Sequence, residues 1–307
     1  MLKYEMTRRH KIGLAVLALA TTVAAGTVFA QQRAMSIATG GTGGVYYPLG
    51  GGLANVLSKT LPGIQATAEV TGGSVDNLKL IGSKQSELAL TMVDAAVDAL
   101  KGQDKFKNNP VNVRTLMVLY PNRMHVVTVE GRGIEKMSDL KGKRVSTGSP
   151  GSATEVMAFR VIEAAGLDKD KDIRRERLGV AESTNAIKDG KIDAYFWVGG
   201  LPTAGVTDLA ATPGVKIKLI DHADVVEKMN AKYGGIYSEG VIPAHTPTGW
   251  RSECASTCVP TFSECSPFSR CGIPQANSTT SMPRCTEPIA SGSVLPCSAV
   301  TSAASSF

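Results

Sequence analysis

A glycine-rich loop near the start of the sequence has the composition of an anion-binding site. Gly40–Gly44 follows the apolar run Met35–Ala38 and precedes Val45–Lys59, in which apolar residues recur at helical spacing. Such a loop presents backbone N–H groups at a helix N-terminus, where the helix dipole favours a bound carboxylate or phosphate. A purely structural tight turn would have the same composition. Tyr46 and Tyr47 favour binding, because adjacent tyrosines offer a small polar ligand an apolar wall and hydroxyl groups.

Two further loops are placed to act with the first. Ser146–Thr154 is rich in Ser, Thr and Gly and also stands between a predicted strand and a predicted helix. Its hydroxyl groups could complete the hydrogen bonds of an anion, although Ser and Thr in this position can also simply cap the helix. Thr71–Ser74 is another glycine turn, whose Ser74 is a candidate N-cap of the next helix. The first loop lacks the spacing of the dinucleotide fingerprint and of the Walker loop.

No motif indicates catalytic chemistry. His125, His222 and His245, the histidines that follow residue 30, are not spaced for metal ligation with an acidic partner. Ser149 lacks the Gly-x-Ser-x-Gly context of a nucleophile elbow. His125 lies in an apolar stretch, where a hydrogen-bonded histidine is more common than a catalytic base. We therefore expect no catalytic residue, no metal site and no cofactor, and a binding protein rather than an enzyme.

Composition argues against a nucleic-acid partner. The 307 residues carry a formal net charge of +6, and half of that charge lies in residues 1–30. Lys and Arg are scattered along the rest of the chain and aromatic residues make up only 5%. A basic face with stacking residues is therefore not expected.

Residues 1–30 have the pattern of a secretory signal peptide. The basic group Arg8–Lys11 precedes an apolar stretch, and Val28–Ala30 fits the small-x-small cleavage rule. An uncleaved membrane anchor is the alternative, since the stretch nearly spans a bilayer. Gly, Thr and Ala dilute its hydrophobicity, which favours cleavage after Ala30 and export of the chain to the periplasm.

Strand and helix patterns alternate in two successive series, residues 31–121 and 122–221. Repeated βα units without hairpin signals predict mainly parallel sheets covered by helices. Ligands of such sheets bind at the carboxyl ends of the strands, which is where the glycine and serine loops fall. We therefore predict an α/β protein of two lobes with a cleft between them that closes by a hinge. Residues 222–244 would return towards lobe 1.

Several motifs, in this order along the chain, resemble the TAXI family, the TRAP-associated extracytoplasmic immunogenic proteins. These proteins are the solute receptors of tripartite, ion-driven TRAP transporters. The resemblance covers about Met35–Ala244 and rests on Gly40–Pro48, Leu119–Pro121 followed by His125, Asp139–Val145, Gly148–Ser152 and Asp193–Gly200. Asn122 and Ala153 stand where the family commonly has an acidic residue and a glycine.

The resemblance implies a periplasmic-binding-protein type II-like fold with a small anionic solute in the cleft between the lobes. The solutes that it implies are glutamate, glutamine or a 2-oxo dicarboxylate. By motif position, the ligand-binding residues would be Gly43, Gly44, Val45, Tyr46, Ser74, Asn77 and Tyr120, together with Ser149, Gly151, Ser152, Ala153, Thr154 and Trp197.

The resemblance also implies a partner, a TRAP-type membrane permease to which a monomeric periplasmic receptor delivers its solute. An exported enzyme on the same fold is one alternative, but it would need a general base that the sequence does not offer. A ligand-sensing module for a membrane kinase is another alternative, which no residue excludes.

The sequence changes character after about Ala244. All 6 Cys lie between Cys254 and Cys297, no Lys follows Lys232, and Ser, Thr, Pro and Cys dominate without helical or strand periodicity. An even number of Cys in an exported chain would fit a disulfide-rich module. Zinc is not indicated, because the tail has no Cys-x-x-Cys spacing. We favour a frameshift near Pro243–Thr248, which would leave residues 245–307 without a native fold.

The possible codons of the tail support the frameshift hypothesis. Ala290–Cys297 can be encoded so that a shift by one base reads His-Pro-Val-Arg-Phe-Tyr-Arg, and TAXI proteins tend to end with His-Pro followed by Arg-Phe-Tyr or a similar run. A frameshift would remove the elements that close lobe 1 and would expose apolar surface to water. We therefore expect this chain to be poorly stable or prone to aggregate.

Overall fold

The computed structural model describes residues 32–243, 255–260 and 298–303, and most of these form two α/β lobes. The predicted signal peptide and most of the tail after residue 244 lie outside the described residues. Within the described part, no helix combines the length and the apolar character needed to cross a bilayer.

Strands and helices alternate along both lobes, as the sequence predicted. In lobe 1 they are β1 (Arg33–Ala38), α1 (Tyr46–Thr60), β2 (Ile64–Glu69), α2 (Ser74–Gly82), β3 (Leu88–Met92), α3 (Val93–Lys101) and β4 (Val113–Val118). In lobe 2 they are β5 (Arg123–Val129), β6 (Arg144–Ser146), α4 (Ala153–Ala164), β7 (Arg174–Glu176), α5 (Val180–Lys188), β8 (Ala194–Gly199), α6 (Ala204–Ala210) and β9 (Ile217–Leu219). The chain continues with α7 (Val226–Tyr233), β10 (Tyr237–Ile242), β11 (Ala255–Pro260) and β12 (Ser298–Ala303).

The sheets of the two lobes have the same strand order. The lobe 1 sheet runs β2-β1-β3-β12-β4 and the lobe 2 sheet runs β7-β6-β8-β5-β9. In each sheet the first three strands are parallel, and the fourth is antiparallel to both of its neighbours. The fourth strand of lobe 2, β5, starts where the chain crosses from lobe 1. The prediction of an α/β fold with two lobes is confirmed.

Two segments of the tail take part in sheets. β11 pairs with β10 in a separate antiparallel pair, and β12 inserts between β3 and β4 of lobe 1. The remaining tail residues lie outside the described part, so the frameshift near Pro243–Thr248 stays a prediction. On the adjacent strand β4, Leu116, Met117 and Val118 are 46–50% exposed. This apolar surface is of the kind that favours aggregation.

A buried charged cluster joins the two lobes behind the cleft. Arg160 of α4 donates hydrogen bonds to the carboxylate of Asp98 on α3, to Asp104 Oδ2 (3.3 Å) and to the hydroxyl of Tyr237 (2.7 Å). Tyr237 in turn donates to Asp94 Oδ2 (3.2 Å). The Arg160 side chain is only 3% exposed, so its charge has left water and depends on these partners.

The same cluster should make stability depend on pH. Burial raises the pKa of Asp98 from 3.8 to about 6, against the lowering effect of Arg160. The folded chain therefore keeps a proton on Asp98 at pH values at which the unfolded chain has lost it. The protonation of Asp98 contributes fully to the free energy of unfolding below pH 3.8. That contribution is lost as the pH rises through about 6. We expect Asp98→Asn to reduce the fall in the free energy of unfolding between pH 4 and pH 7, measured by urea denaturation. An identical pH dependence in both proteins would contradict this.

Candidate functional site

A cavity lies between the two lobes, at the carboxyl ends of the parallel strands. It has a volume of about 60 Å³ and is partly open to solvent. Lobe 1 and the crossover segment contribute Gly40, Gly41, Gly44, Val45, Tyr46, Gly72, Gly73, Ser74, Met92 and Tyr120 to its lining, and lobe 2 contributes Ser149, Ser152, Ala153, Thr154, Gly179, Val180, Trp197, Val198 and Gly199. The glycine- and serine-rich loops, which the sequence predicts at the carboxyl ends of the strands, therefore meet around this cavity.

Four helices begin at the cavity wall, two from each lobe. The N-cap and first residue of α1, α2, α4 and α5 all belong to the lining, namely Val45 and Tyr46, Gly73 and Ser74, Ser152 and Ala153, and Gly179 and Val180. Each helix start has backbone N–H groups without intrahelical partners and the positive end of a helix dipole. Together they can hold an anion without a charged side chain.

Serine side chains fix the starts of two of these helices in different ways. Ser152 Oγ accepts a hydrogen bond from Glu155 N (3.0 Å), which is the N-cap arrangement. The prediction that Ser74 caps α2 is wrong, because Gly73 holds the N-cap position. Ser74 Oγ instead accepts a hydrogen bond from Met92 N (3.1 Å). This bond ties the start of α2 to the end of β3, so two parts of the cavity wall are held together.

Three aromatic rings form much of the apolar wall of the cavity. Tyr46 and Tyr120 pack edge to face, with ring centroids 6.3 Å apart and an interplanar angle of 62°. Trp197 donates from Nε1 to Thr203 Oγ1 (2.9 Å), which fixes the plane of its indole ring opposite Gly44. The site therefore combines polar helix ends with a broad apolar surface.

The structure brings most of the predicted ligand-binding residues together. The predicted ligand-binding residues that line the cavity are Gly44, Val45, Tyr46, Ser74, Tyr120, Ser149, Ser152, Ala153, Thr154 and Trp197. Gly43, Asn77 and Gly151 do not belong to the lining, and the structure gives each of them a different position.

Asn77 is fully buried inside lobe 1. Its Nδ2 donates to the carbonyl oxygens of Thr39 (2.6 Å) and Leu90 (2.7 Å), and its Oδ1 accepts from the hydroxyl of Thr71 (2.6 Å). Asn77 therefore connects β1, β3 and the second glycine turn, and shapes the wall from behind.

Gly43 lies where the backbones of the two lobes meet. Its carbonyl oxygen accepts a hydrogen bond from Gly205 N of lobe 2 (3.1 Å). A Cβ at residue 43 would lie 2.8 Å from the Cβ of Ala181 on α5. Glycine at this position is therefore needed for the close approach of the lobes.

Gly151 takes part in a second contact between the lobes. Its carbonyl oxygen accepts from Asp76 N of lobe 1 (3.0 Å). Next to it, Ser149 Oγ donates to the Gly72 carbonyl oxygen (2.9 Å). These bonds, together with the Gly43 contact, show the lobes in a closed arrangement around the cavity.

Sequence reasoning missed the contribution of Gly179 and Val180 to the cavity. The sequence pattern predicts a helix over Glu182–Asp189, whereas α5 begins at Val180. A single glycine before a helix was the only local signal. Without neighbouring glycines or hydroxyl residues, this signal is shared by many ordinary helix starts.

His125 lies in β5 and outside the cavity lining. Its Nδ1 is 2.9 Å from the carbonyl oxygen of Arg123 and 3.3 Å from that of Trp197. Both neighbours are acceptors, so Nδ1 carries the proton. Burial lowers the pKa of His125 to about 4, and the ring is uncharged at neutral pH. Its bonds attach β5 to β8, which agrees with the structural role expected from the sequence.

The sequence profile of the NMT1-like family matches residues 37–267. This range contains every residue of the cavity lining. It also extends past residue 244, into the part of the chain that has the unusual composition.

Three solved structures are similar to the chain in fold. One is the periplasmic aliphatic sulphonate binding protein SsuA from Escherichia coli, with 16% identity, 74% of this chain and 65% of that chain covered, and a TM-score of 0.42. A protein from Bordetella bronchiseptica RB50 has 19% identity, 75% and 64% coverage, and a TM-score of 0.48. An ancestral arginine-binding protein bound to arginine has 15% identity, 62% and 79% coverage, and a TM-score of 0.43. The chain spans less than two thirds of the length of the first two.

Proposed function

The chain belongs to the NMT1-like family, and we propose that it is a solute-binding receptor that closes its two lobes around a small carboxylate. The observation that carries this proposal is the cavity at which four helix N-termini meet, two from each lobe. A carboxylate in this cavity would accept hydrogen bonds from both lobes at once. Its binding would therefore favour the closed arrangement over an open one.

The finer proposal is a TAXI-type receptor that is exported to the periplasm and delivers its solute, as a monomer, to a TRAP-type permease. Its support is the position of the motifs that carry the resemblance. Gly40–Pro48, Gly148–Ser152 and Asp193–Gly200 each contribute residues to the cavity lining. The resemblance implies glutamate, glutamine or a 2-oxo dicarboxylate as the solute, and the thermal test below includes these solutes beside monocarboxylates.

Thermal unfolding of the full chain with added carboxylates tests the receptor proposal. A bound carboxylate should raise Tm by about 5–10 °C when its concentration is about 100 times Kd, because it binds only the folded chain. The matched control is the same compound with every carboxyl group converted to an amide, which carries no anionic group and should give no shift. Equal shifts by acid and amide, or turnover of the acid into a product, would contradict the proposal.

A further inference from the structure

We infer that the solute is a monocarboxylate with an apolar body and no amino group, an inference that rests on the proposed receptor function. It follows from the chemistry of the cavity wall. The lining holds polar helix ends on one hand and aromatic and aliphatic side chains on the other.

The electrostatics of the cavity wall disfavour a ligand that carries an ammonium group. No Asp, Glu, Lys or Arg belongs to the lining, which consists entirely of described residues. The helix N-termini supply partial positive charge, about half an elementary charge each. A carboxylate is stabilised there, whereas the ammonium of an amino acid would lie near positive helix ends, with no carboxylate side chain in the lining to pair with it. An enclosed charge without a partner is strongly unfavourable.

Carboxylates do occur in the first turns of the helices near the cavity, at Asp76, Asp94, Glu155 and Glu182, but none of them belongs to the lining. Asp94 accepts hydrogen bonds from Ala95 N (2.8 Å) and from the hydroxyl of Tyr237. Asp76 lies on the wall of a separate surface cavity, together with Lys79. An ammonium group inside the cleft would therefore find no carboxylate in the wall itself.

The remainder of the wall favours an apolar body on the ligand. Tyr46, Met92, Val180, Trp197 and Val198 present aromatic and aliphatic surface to the cavity. A ring or branched alkyl group would bury its apolar area against them. A second carboxylate would have to lose its hydration next to the same surface, which disfavours dianions.

Matched acids that differ only at carbon 2 test the inference. Isothermal titration of the full chain at pH 7 would compare 4-methyl-2-oxopentanoate with leucine, phenylpyruvate with phenylalanine, and 2-oxoglutarate with glutamate. We expect the oxo acid to bind at least tenfold more tightly in the first two pairs, and 4-methyl-2-oxopentanoate to bind more tightly than 2-oxoglutarate.

Two substitutions of one residue test whether the absence of a carboxylate in the wall causes the preference for the oxo acid over the amino acid. Val45 is the N-cap residue of α1 and lines the cavity. Asp and Asn are both favourable N-caps, so both variants should keep the helix. Val45→Asp places a carboxylate in the wall and should shift the preference within each pair towards the amino acid by at least tenfold. Val45→Asn, which has nearly the shape of the Asp variant without its charge, should shift the preference much less than Val45→Asp does.

Contrary results separate this inference from the receptor proposal. Tight binding of glutamate or leucine by the unmodified chain would overturn the inference and leave the receptor proposal standing. An unchanged preference in Val45→Asp would also overturn the inference. A failure of all six acids to bind would overturn both.

Discussion

Gly43→Ala should weaken carboxylate binding about 30-fold while the unliganded chain keeps its stability. A Cβ at residue 43 would lie 2.8 Å from Ala181 Cβ and 3.2 Å from Ala181 N, closer than side chains normally approach. Gly43 and Ala181 belong to different lobes, so the clash arises only when the lobes close. Overpacking of this kind costs about 2 kcal/mol, which corresponds to about 30-fold in Kd.

Titration with the acid that gives the largest thermal shift measures this effect, and Tm without ligand reports on folding. Adding Ala181→Gly to the variant removes the closest atom and should recover part of the lost affinity. Gly51→Ala is the matched control, because a Cβ at this exposed position of α1 would have nothing within 4 Å. Affinity of Gly43→Ala equal to that of the unmodified chain would show that this contact is absent from the bound state.

Arg160→Met should lower the free energy of unfolding by about 3 kcal/mol, because it removes the one cation of the buried cluster and strands the carboxylates that face it. Asp98 and Asp94 would then lie close together without Arg160 to offset their repulsion. For a chain of this size the expected fall in Tm is about 6–12 °C. Urea denaturation and thermal unfolding at pH 7 both measure it.

Two further variants test whether the loss of stability in Arg160→Met arises because the charged cluster is buried. Lys191→Met removes an ion pair with Asp189 in which the two side chains are 72% and 54% exposed, and it should leave Tm unchanged. Asp98→Asn combined with Arg160→Met removes one stranded charge and should recover part of the loss. The role of the cluster would be refuted if Arg160→Met and Lys191→Met had equal Tm.

Local sequence signals were sufficient to predict features that depend only on the residues of one short segment. The run of glycines at Gly40–Gly44 and the hydroxyl-rich Ser146–Thr154 identified two helix starts that line the cavity. Alternating strand and helix periodicity predicted two mainly parallel sheets, because a βα repeat has few other ways to bury its apolar faces. The cap of α4 at Ser152 also belongs to this class, since the bond spans only three residues.

Contacts between distant segments could not be predicted in this way. Gly43, Asn77 and Gly151 have the residue types of a binding loop, yet they contact the opposite lobe or the interior of lobe 1. From the sequence, Arg160 would be expected on the exposed face of a helix. Only the packing of α3 against α4 buries it beside Asp98. Nothing local indicates such pairing.

The sequence by itself therefore determined the fold class and two of the four helix starts at the cavity, because these depend on backbone propensities and on periodicity over a few turns. The tertiary structure alone decided which glycines face the cavity and which allow the lobes to touch. It also decided that the carboxylates in the first turns of these helices, Asp76, Glu155 and Glu182, lie outside the cavity lining. These properties depend on contacts between distant segments, such as Ser149 and Gly72, which are 77 residues apart, and the chain fixes such contacts only when both sheets are assembled.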